Sequence, residues 1–378
     1  MSRLVRTLLC TMVLACGSSA FEGPKVVRHV TVYSQAGRYG GWPANHGIWT
    51  WGNEIVVGFS AAYYQWLGPD RHPYDRSRSE EPYLARSIDG GKSWAIEPTP
   101  ALVPPEGMYT GSGPGGKARD LGEPIDFQRP GFCMTFRMAD AQHGHSWFFY
   151  SYDRGKTWNG PFNFPMLGQA AIMARTDYIV NGKRDEMVFL TAAKASGGEG
   201  RTFVARTRDG GLHWEFVAWT APDPGAGFTI MPSSVRLSDT DLITTVRHED
   251  SPRQGPNWID AYISPDNGAH WTQLSRAVPS TGDHSGNPPS LVRLRDGRLV
   301  VTYGYRAEPF EVRARISSDQ GKTWSEDFVL RTGAASWDVG YTRSTQRADG
   351  KIVTVYYWAA EQQKERTIES TIWDPGSK

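Results

Sequence analysis

Cysteine is scarce, with three residues in a chain of 378. Cys10 and Cys16 fall in an N-terminal stretch that runs from Arg3 and Arg6 through the apolar Leu8 to Ala15 and ends in Gly17-Ser18-Ser19-Ala20. A basic start, a short apolar run and small residues at the exit read as a secretory signal peptide over residues 1–20, cleaved after Ala20. Cleavage there leaves Cys133 alone, so stability outside the cell has to come from packing and not from disulfides. Val13-Leu14-Ala15-Cys16 supports a rival reading, a lipobox with lipid attached to Cys16. Both readings place the protein outside the cytoplasm, secreted or periplasmic. No other apolar run approaches membrane length. Charge of one sign is also missing: 41 basic residues face 40 acidic ones, for a net charge of +1. That balance excludes partners that select an excess of Lys and Arg, such as nucleic acid or an anionic membrane surface. No H-E-x-x-H, C-x-x-C or EF-hand spacing occurs, so neither a metal nor another cofactor is expected. The glycine-rich run Gly111–Gly116 opens no helix and is read as a loop, not a phosphate cradle.

What is present points to strands and turns. Aromatic residues reach 12%, with 15 Trp, and the chain carries 41 Gly and 25 Pro. Such residues favour pleated sheet and tight bends over helix. A repeat then organises the whole chain. SIDGGKSW, SYDRGKTW, TRDGGLHW, SPDNGAHW and SSDQGKTW occupy 87–94, 151–158, 207–214, 264–271 and 317–324, and all fit [S/T]-x-D-x-G-x-x-W. In such an element Asp accepts backbone N–H groups, Gly takes a left-handed conformation and Trp folds back between strands. Asp89, Asp153, Asp209, Asp266 and Asp319 are therefore read as turn residues and not as catalytic carboxylates. Short alternating strands flank the boxes, for example Ile55–Ser60 and Tyr83–Ser87 around the first. Each unit has room for about one four-stranded propeller blade. A sixth unit without a box, Tyr341–Arg347, Lys351–Trp358 and Thr367–Trp373, is one strand short, and Val26–Tyr33 stands before the first unit unpaired. Pairing the two closes an all-β, six-bladed β-propeller without exposed sheet edges.

The five boxes resemble those of the sialidase (neuraminidase) superfamily, the Asp-box or BNR-repeat proteins, and the resemblance covers essentially all of the chain after the leader. ARTDYIV at 174–180, IMPS at 230–233, SGNPPSLVRLRDGRLVVTYGYR at 285–306 and DVGYTRSTQRADGKIVTVYY at 338–357 resemble a bacterial sialidase-like subgroup. The resemblance implies a retaining exo-glycosidase with an arginine triad on the substrate carboxylate, a Tyr nucleophile activated by a Glu, and a loop Asp as acid/base. This is the Tyr exception to the usual two-carboxylate scheme.

Carried over residue by residue, Tyr341 takes the nucleophile's place, with Asp338 beside it in Asp338-Val-Gly-Tyr341. Arg247 matches the second triad Arg, and Arg313 or its near rival Arg306 the third. Where the family has Arg-Ile-Pro this chain reads Gly41-Trp42-Pro43, and Arg38 lies just upstream as a substitute. The loop after the first long strand, QWLGPDRHPYDRSRSEEP, offers Asp75 and Asp70 as acid/base, with His72 beside them. The family's Glu position holds Ile230-Met231-Pro232-Ser233, and Glu199 is the candidate to replace it. His46, Asp177 with Arg175, and the loop group Asp140, His143 and His145 complete the candidates for substrate binding or for other chemistry. The expected function is a secreted glycoside hydrolase acting on acidic glycans, most simply as a monomer. A polysaccharide lyase or rhamnosidase-type enzyme on the same fold, or a glycan-binding propeller without catalysis, are the alternatives.

Overall fold

The computed structural model describes residues 23–102, 117–140, 144–251, 255–361 and 364–377. The N-terminal stretch with Cys10 and Cys16, the run Gly111–Gly116 and His143 lie outside them. The described chain forms six small antiparallel sheets arranged as the blades of a β-propeller. Blade one carries Glu54–Tyr63, Glu81–Ser87 and Ala95–Pro98, and its innermost position is filled by two short strands, Arg38–Gly41 and Ile48–Trp51. Blade two shows Cys133–Met138, Ser146–Ser151 and Asn159–Phe164. Blade three splits its inner strand as well, into Ile172–Met173 and Tyr178–Val180, before Glu186–Ala193, Glu199–Thr207 and Glu215–Trp219. Blades four and five have four strands each, beginning with Phe228–Arg236 and Ser290–Arg293.

Blade six closes the ring. Gly340–Gln346, Ile352–Ala359 and Arg366–Asp374 are joined at the outer edge by Lys25–Tyr33, whose Val30 faces Ser370. The N-terminal strand thus supplies the missing fourth strand, as the sequence implies. Apolar faces pack between blades. Val57 and Phe59 of blade one meet Val355 and Tyr357 of blade six, and Phe136 and Phe148 of blade two meet Val188 and Leu190 of blade three. Cys133 is a free, buried thiol in this packing.

The boxes are the turns that lead into the outermost strands of blades one to five. Asp89 Oδ1 accepts the N–H groups of Lys92 and Ser93 at 2.9 and 3.0 Å, and its Oδ2 accepts the Ser93 hydroxyl at 2.6 Å. Desolvation disfavours this carboxylate, yet Ser93, Ser87 and Lys92 outweigh it and hold the group at about 2. Gly90 and Gly91 sit at φ 75° and 85°, where a side chain is strained. Trp158 and Trp271 return their indole N–H groups to Gly155 O and Gly268 O of their own boxes. Because third strands run away from the end where first strands begin, all five boxes lie on the face opposite that end.

At that end the inner strands depart from regular pleating. Register shifts fall between Ile230 and Ser233 in blade four and between Gly340 and Arg343 in blade six. Met231 and Tyr341 occupy these bulges at φ 53° and 50°, and Trp42 takes φ 54° at the break in blade one. Three bulky residues in a left-handed conformation are costly and collect where a site is built. After Trp42 the chain makes one helical turn, Pro43–His46, at the hub. Thr135 of blade two donates to His46 O at 2.9 Å, which ties that turn to blade two.

Candidate active site

Antiparallel alternation brings the starts of first strands, the ends of second strands and the starts of third strands to one end of the ring. Tyr341 begins blade six there, Arg247 lies near the end of Leu242–Glu249, and Arg306 directly follows Leu299–Tyr305. The structure brings these three together. Arg247 Nη1 donates to the Tyr341 hydroxyl at 3.3 Å, and the Arg306 guanidinium lies 5.4 Å from the centre of the Tyr341 ring. Both arginines are buried. Arg247 donates from Nε and Nη2 to Ser285 O at 2.9 and 2.5 Å. Arg306 donates to Val339 O, His284 O and the Tyr357 hydroxyl. Among the described residues neither has a carboxylate within ion-pairing distance, and a five-donor guanidinium leaves N–H groups uncommitted in both. Buried cations without a paired anion are expensive, so this pair suits an anionic ligand.

Asp338 lies beneath this cluster and is fully buried. It accepts the hydroxyls of Tyr357 and Tyr39 at 2.7 and 3.2 Å and Nε of Arg366 at 3.1 Å. His72 Nδ1 approaches it to 2.6 Å. Burial opposes ionisation, but His72, then Arg366 and Arg306, hold the carboxyl well below the usual range. The His72 ring stands 5.5 Å from Trp42 and 5.2 Å from Trp337, whose indole stacks on His284 at 4.2 Å. Trp337 also donates to Pro69 O at 2.7 Å, fastening the 64–80 loop over the site. The loop therefore reaches the site through His72 and not through its aspartates. Asp75 turns back on its own loop, accepting the backbone and hydroxyl of Ser77. Asp70 is exposed, and its charge opposes the lowering that burial and Arg306 impose on His284.

Other expected residues lie elsewhere. Arg313 is paired with Glu311 and Asp327 and stacks 3.6 Å from the Tyr305 ring, away from Tyr341. Of the two rivals, Arg306 is the one beside Tyr341. Arg38 pairs with Glu81 at 3.3 Å and lies over Tyr63, because strand alternation sends it to the face opposite Tyr39, which reaches Asp338. Glu199 binds Nη2 of Arg175 at 2.5 Å, and Arg175 Nε continues to Asn45 at 3.1 Å, on the far side of the helical turn. The family's Glu position is filled by Met231, whose sulfur accepts from Arg247 Nη1 at 3.5 Å. His46 and Asp177 are buried in the hub. His46 Nε2 meets Ser60 Oγ at 2.9 Å, and Asp177 accepts the Ser234 hydroxyl at 2.8 Å. Burial pushes Asp177 up to about 7 against the pull of Arg343 and Ser234. His145 and Asp140 flank the loop that carries His143.

The sequence reading gave no role to Tyr39, Tyr357, Arg366, Trp337 and His284. Tyr357 lies in IVTVYYW, where an aromatic residue reads as core, and no local signal separates it from its neighbours. Arg137, an isolated charge inside the apolar CMTFRM strand, carried a signal: buried strands rarely admit an unpaired Arg.

Six small antiparallel sheets around a hub, Asp boxes on one face and an Arg–Tyr cluster on the other define a sialidase-like β-propeller. The chain belongs to the BNR repeat-like domain family, whose family model matches residues 117–354. No curated protein matches it by sequence. Among solved structures, a protein of unknown function from Dyadobacter fermentans DSM 18053 shares 21% identity over 93% of this chain and 99% of its own, with a TM-score of 0.68. An α-L-arabinanase of Penicillium chrysogenum, complexed with arabinobiose, shares 13% identity over 93% of this chain and 98% of its own at a TM-score of 0.60. A mutant Trypanosoma rangeli sialidase displaying trans-sialidase activity shares 13% identity at a TM-score of 0.57, and the match spans 87% of this chain but 53% of that one. At such identities the likeness is one of fold.

Proposed function

We propose that the protein is an exo-acting glycoside hydrolase for an anionic glycan, exported by its N-terminal leader. The observation that carries this reading is the Tyr341 phenol held between two buried guanidinium groups that have no carboxylate partner among the described residues. Arg247 and Arg306 would receive the substrate's carboxylate by charge-assisted hydrogen bonds. Tyr341 would form the covalent bond to the anomeric carbon as the bond to the leaving oxygen breaks, its phenolic proton passing to solvent, since a Tyr nucleophile replaces one carboxylate in this chemistry. His72 would serve as acid and then base. With Nδ1 engaged by Asp338, Nε2 is left to protonate the leaving oxygen and later to take a proton from water, in the manner of an Asp-oriented imidazole. No helix among the described residues is long and apolar enough to cross a membrane.

The test is a panel of α-sialosides, uronides and neutral α-L-arabinosides, assayed with the wild type, Tyr341→Phe and His72→Ala. The expected result is turnover of a charged member alone, abolished by Tyr341→Phe. His72→Ala should be partly spared on aryl glycosides whose leaving group needs no proton. Turnover that survives Tyr341→Phe overturns the nucleophile. An unsaturated, ultraviolet-absorbing product would instead mark a lyase, and glycan binding without turnover a binding propeller.

A further inference from the structure

Around the helical turn Pro43–His46 stands a second group of buried donors that the proposed reaction does not use. Arg137, on Cys133–Met138, is 4% exposed. Its Nη1 donates at 2.7 Å to Thr135 Oγ1 and to Phe136 O, both on its own strand, while Nε and Nη2 have no acceptor. Among the described residues no carboxylate lies within ion-pairing distance of it. Arg343 donates from Nη2 to Ala44 O and Thr176 O and leaves Nε without a partner. His46, also 4% exposed, uses Nε2 on Ser60 and leaves Nδ1 without a partner. Arg175 leaves Nη1 in the same condition.

These groups share one place in the fold. Thr135 Oγ1 bonds both His46 O and Thr176 Oγ1, so it links Arg137 to the strand break that Arg343 grips. Arg175 reaches the same turn through Asn45. After burial itself, the charges of Arg137 and Arg343 are what push the His46 imidazole well below its ordinary value. Burial alone lowers Arg137 to about 9, with no acidic neighbour acting to restore it. Of the carboxyls nearby, Glu199 pairs with Arg175, Asp177 accepts from Ser234 and acts on Arg343, and Glu80 bonds Ser60, where burial raises it to about 7; none of them acts on Arg137.

We propose that this hub cluster of donors, centred on Arg137 and His46, is a second anion-binding site that takes a small anion. Every open nitrogen on the three arginines is a donor, and the charge of Arg137 has no compensating carboxylate among the described residues. Water would satisfy the N–H groups but not the charge; an anion satisfies both. The anion is either a free inorganic ion or a second charged substituent of the glycan, and the experiment separates these sources.

Thermal unfolding of the full chain is followed in a halide-free buffer while sodium bromide, sodium phosphate or, at equal ionic strength, the bulky gluconate salt is added. The expected result is a saturable rise in Tm with bromide or phosphate, none with gluconate, and loss of the increment in Arg137→Met. Arg137→Met should be no less stable than the wild type before anion is added, because an apolar side chain replaces an unpaired buried cation. If Arg137→Met does not fold, His46→Gln and the anomalous map of a bromide-soaked wild-type crystal carry the same test, with a peak expected against Arg137. Competition of bromide with glycan turnover, and a raised KM in the variant, assigns the site to the substrate; unchanged KM assigns it to a free ion. Identical anion responses in wild type and variant, or no bromide peak, would overturn the proposal. A negative result here leaves the Tyr341 reading standing, because the readout is stability and not turnover.

Discussion

Arg247 of blade four donates from Nη1 to the phenol oxygen of Tyr341 in blade six across 3.3 Å, a bond between blades that are not neighbours. The same guanidinium is locked in plane by two bonds to Ser285 O. A planar fork can do both, and a lysine ammonium cannot. Arg247→Lys is therefore expected to lower kcat/KM on the active glycoside about 10²-fold or more, with little change in unfolding midpoint. Kinetics within about threefold of the wild type would remove Arg247 from the site.

Arg306 and Arg313 belong to one hairpin but have different company. Arg306 lies beside Tyr341 and Trp337, while Arg313 is neutralised by Glu311 and Asp327. Arg306→Ala should raise KM for an anionic substrate about tenfold or more, and Arg313→Ala should leave it within about twofold. The reverse ranking in steady-state assays would exchange their roles.

Asp338 provides a pH test. Its folded pKa is depressed, so its contribution is fully present above the unfolded value of about 3.9 and is lost as pH falls through the folded value. Asp338→Asn leaves Arg366 without its buried anion and should cost about 3–5 kcal/mol at neutral pH. Denaturant unfolding of wild type and variant should converge as pH drops below about 4. A difference that stays constant down to acid pH would show that the charge of Asp338 is not what stabilises the hub.

Glu186 behaves in the opposite sense. It is fully buried, both carboxylate oxygens lack a hydrogen-bond partner, and burial raises its pKa well above the usual range. A carboxyl whose folded pKa is raised stabilises least at high pH: its penalty is absent below about 4.3 and grows as pH rises towards the folded value. Glu186→Gln should therefore stabilise by about 1–3 kcal/mol near pH 8 and by much less near pH 4. A variant less stable than the wild type at both pH values would show that Glu186 has a partner when ionised.

The architecture was legible because its signals are local and repeated. An Asp-box needs only its own eight residues to make its turn, as Asp89 and Ser93 show. Alternation of apolar residues marked the strands, and a sixth unit one strand short pointed to Val26–Tyr33 as its partner. The site was legible only in part. Tyr341, Arg247 and Arg306 could be named from the motifs around them. That the loop reaches Asp338 through His72, while Asp75 binds Ser77, depends on where Trp337 pins Pro69. No spacing in the loop encodes that contact.

The sequence by itself determined the six-bladed ring and the turns that its boxes make, because hydrogen-bonded turns and pleat periodicity are settled within a few residues. Tertiary structure alone decided which arginines stand beside Tyr341 and which are spent on neighbouring carboxylates. Strand alternation turns Arg38 away while Tyr39 points in, and ring closure sets Arg247 against a phenol two blades distant. It also gathered Arg137, His46 and Arg343, from three separate blades, around one helical turn, where burial makes their unpaired charge matter.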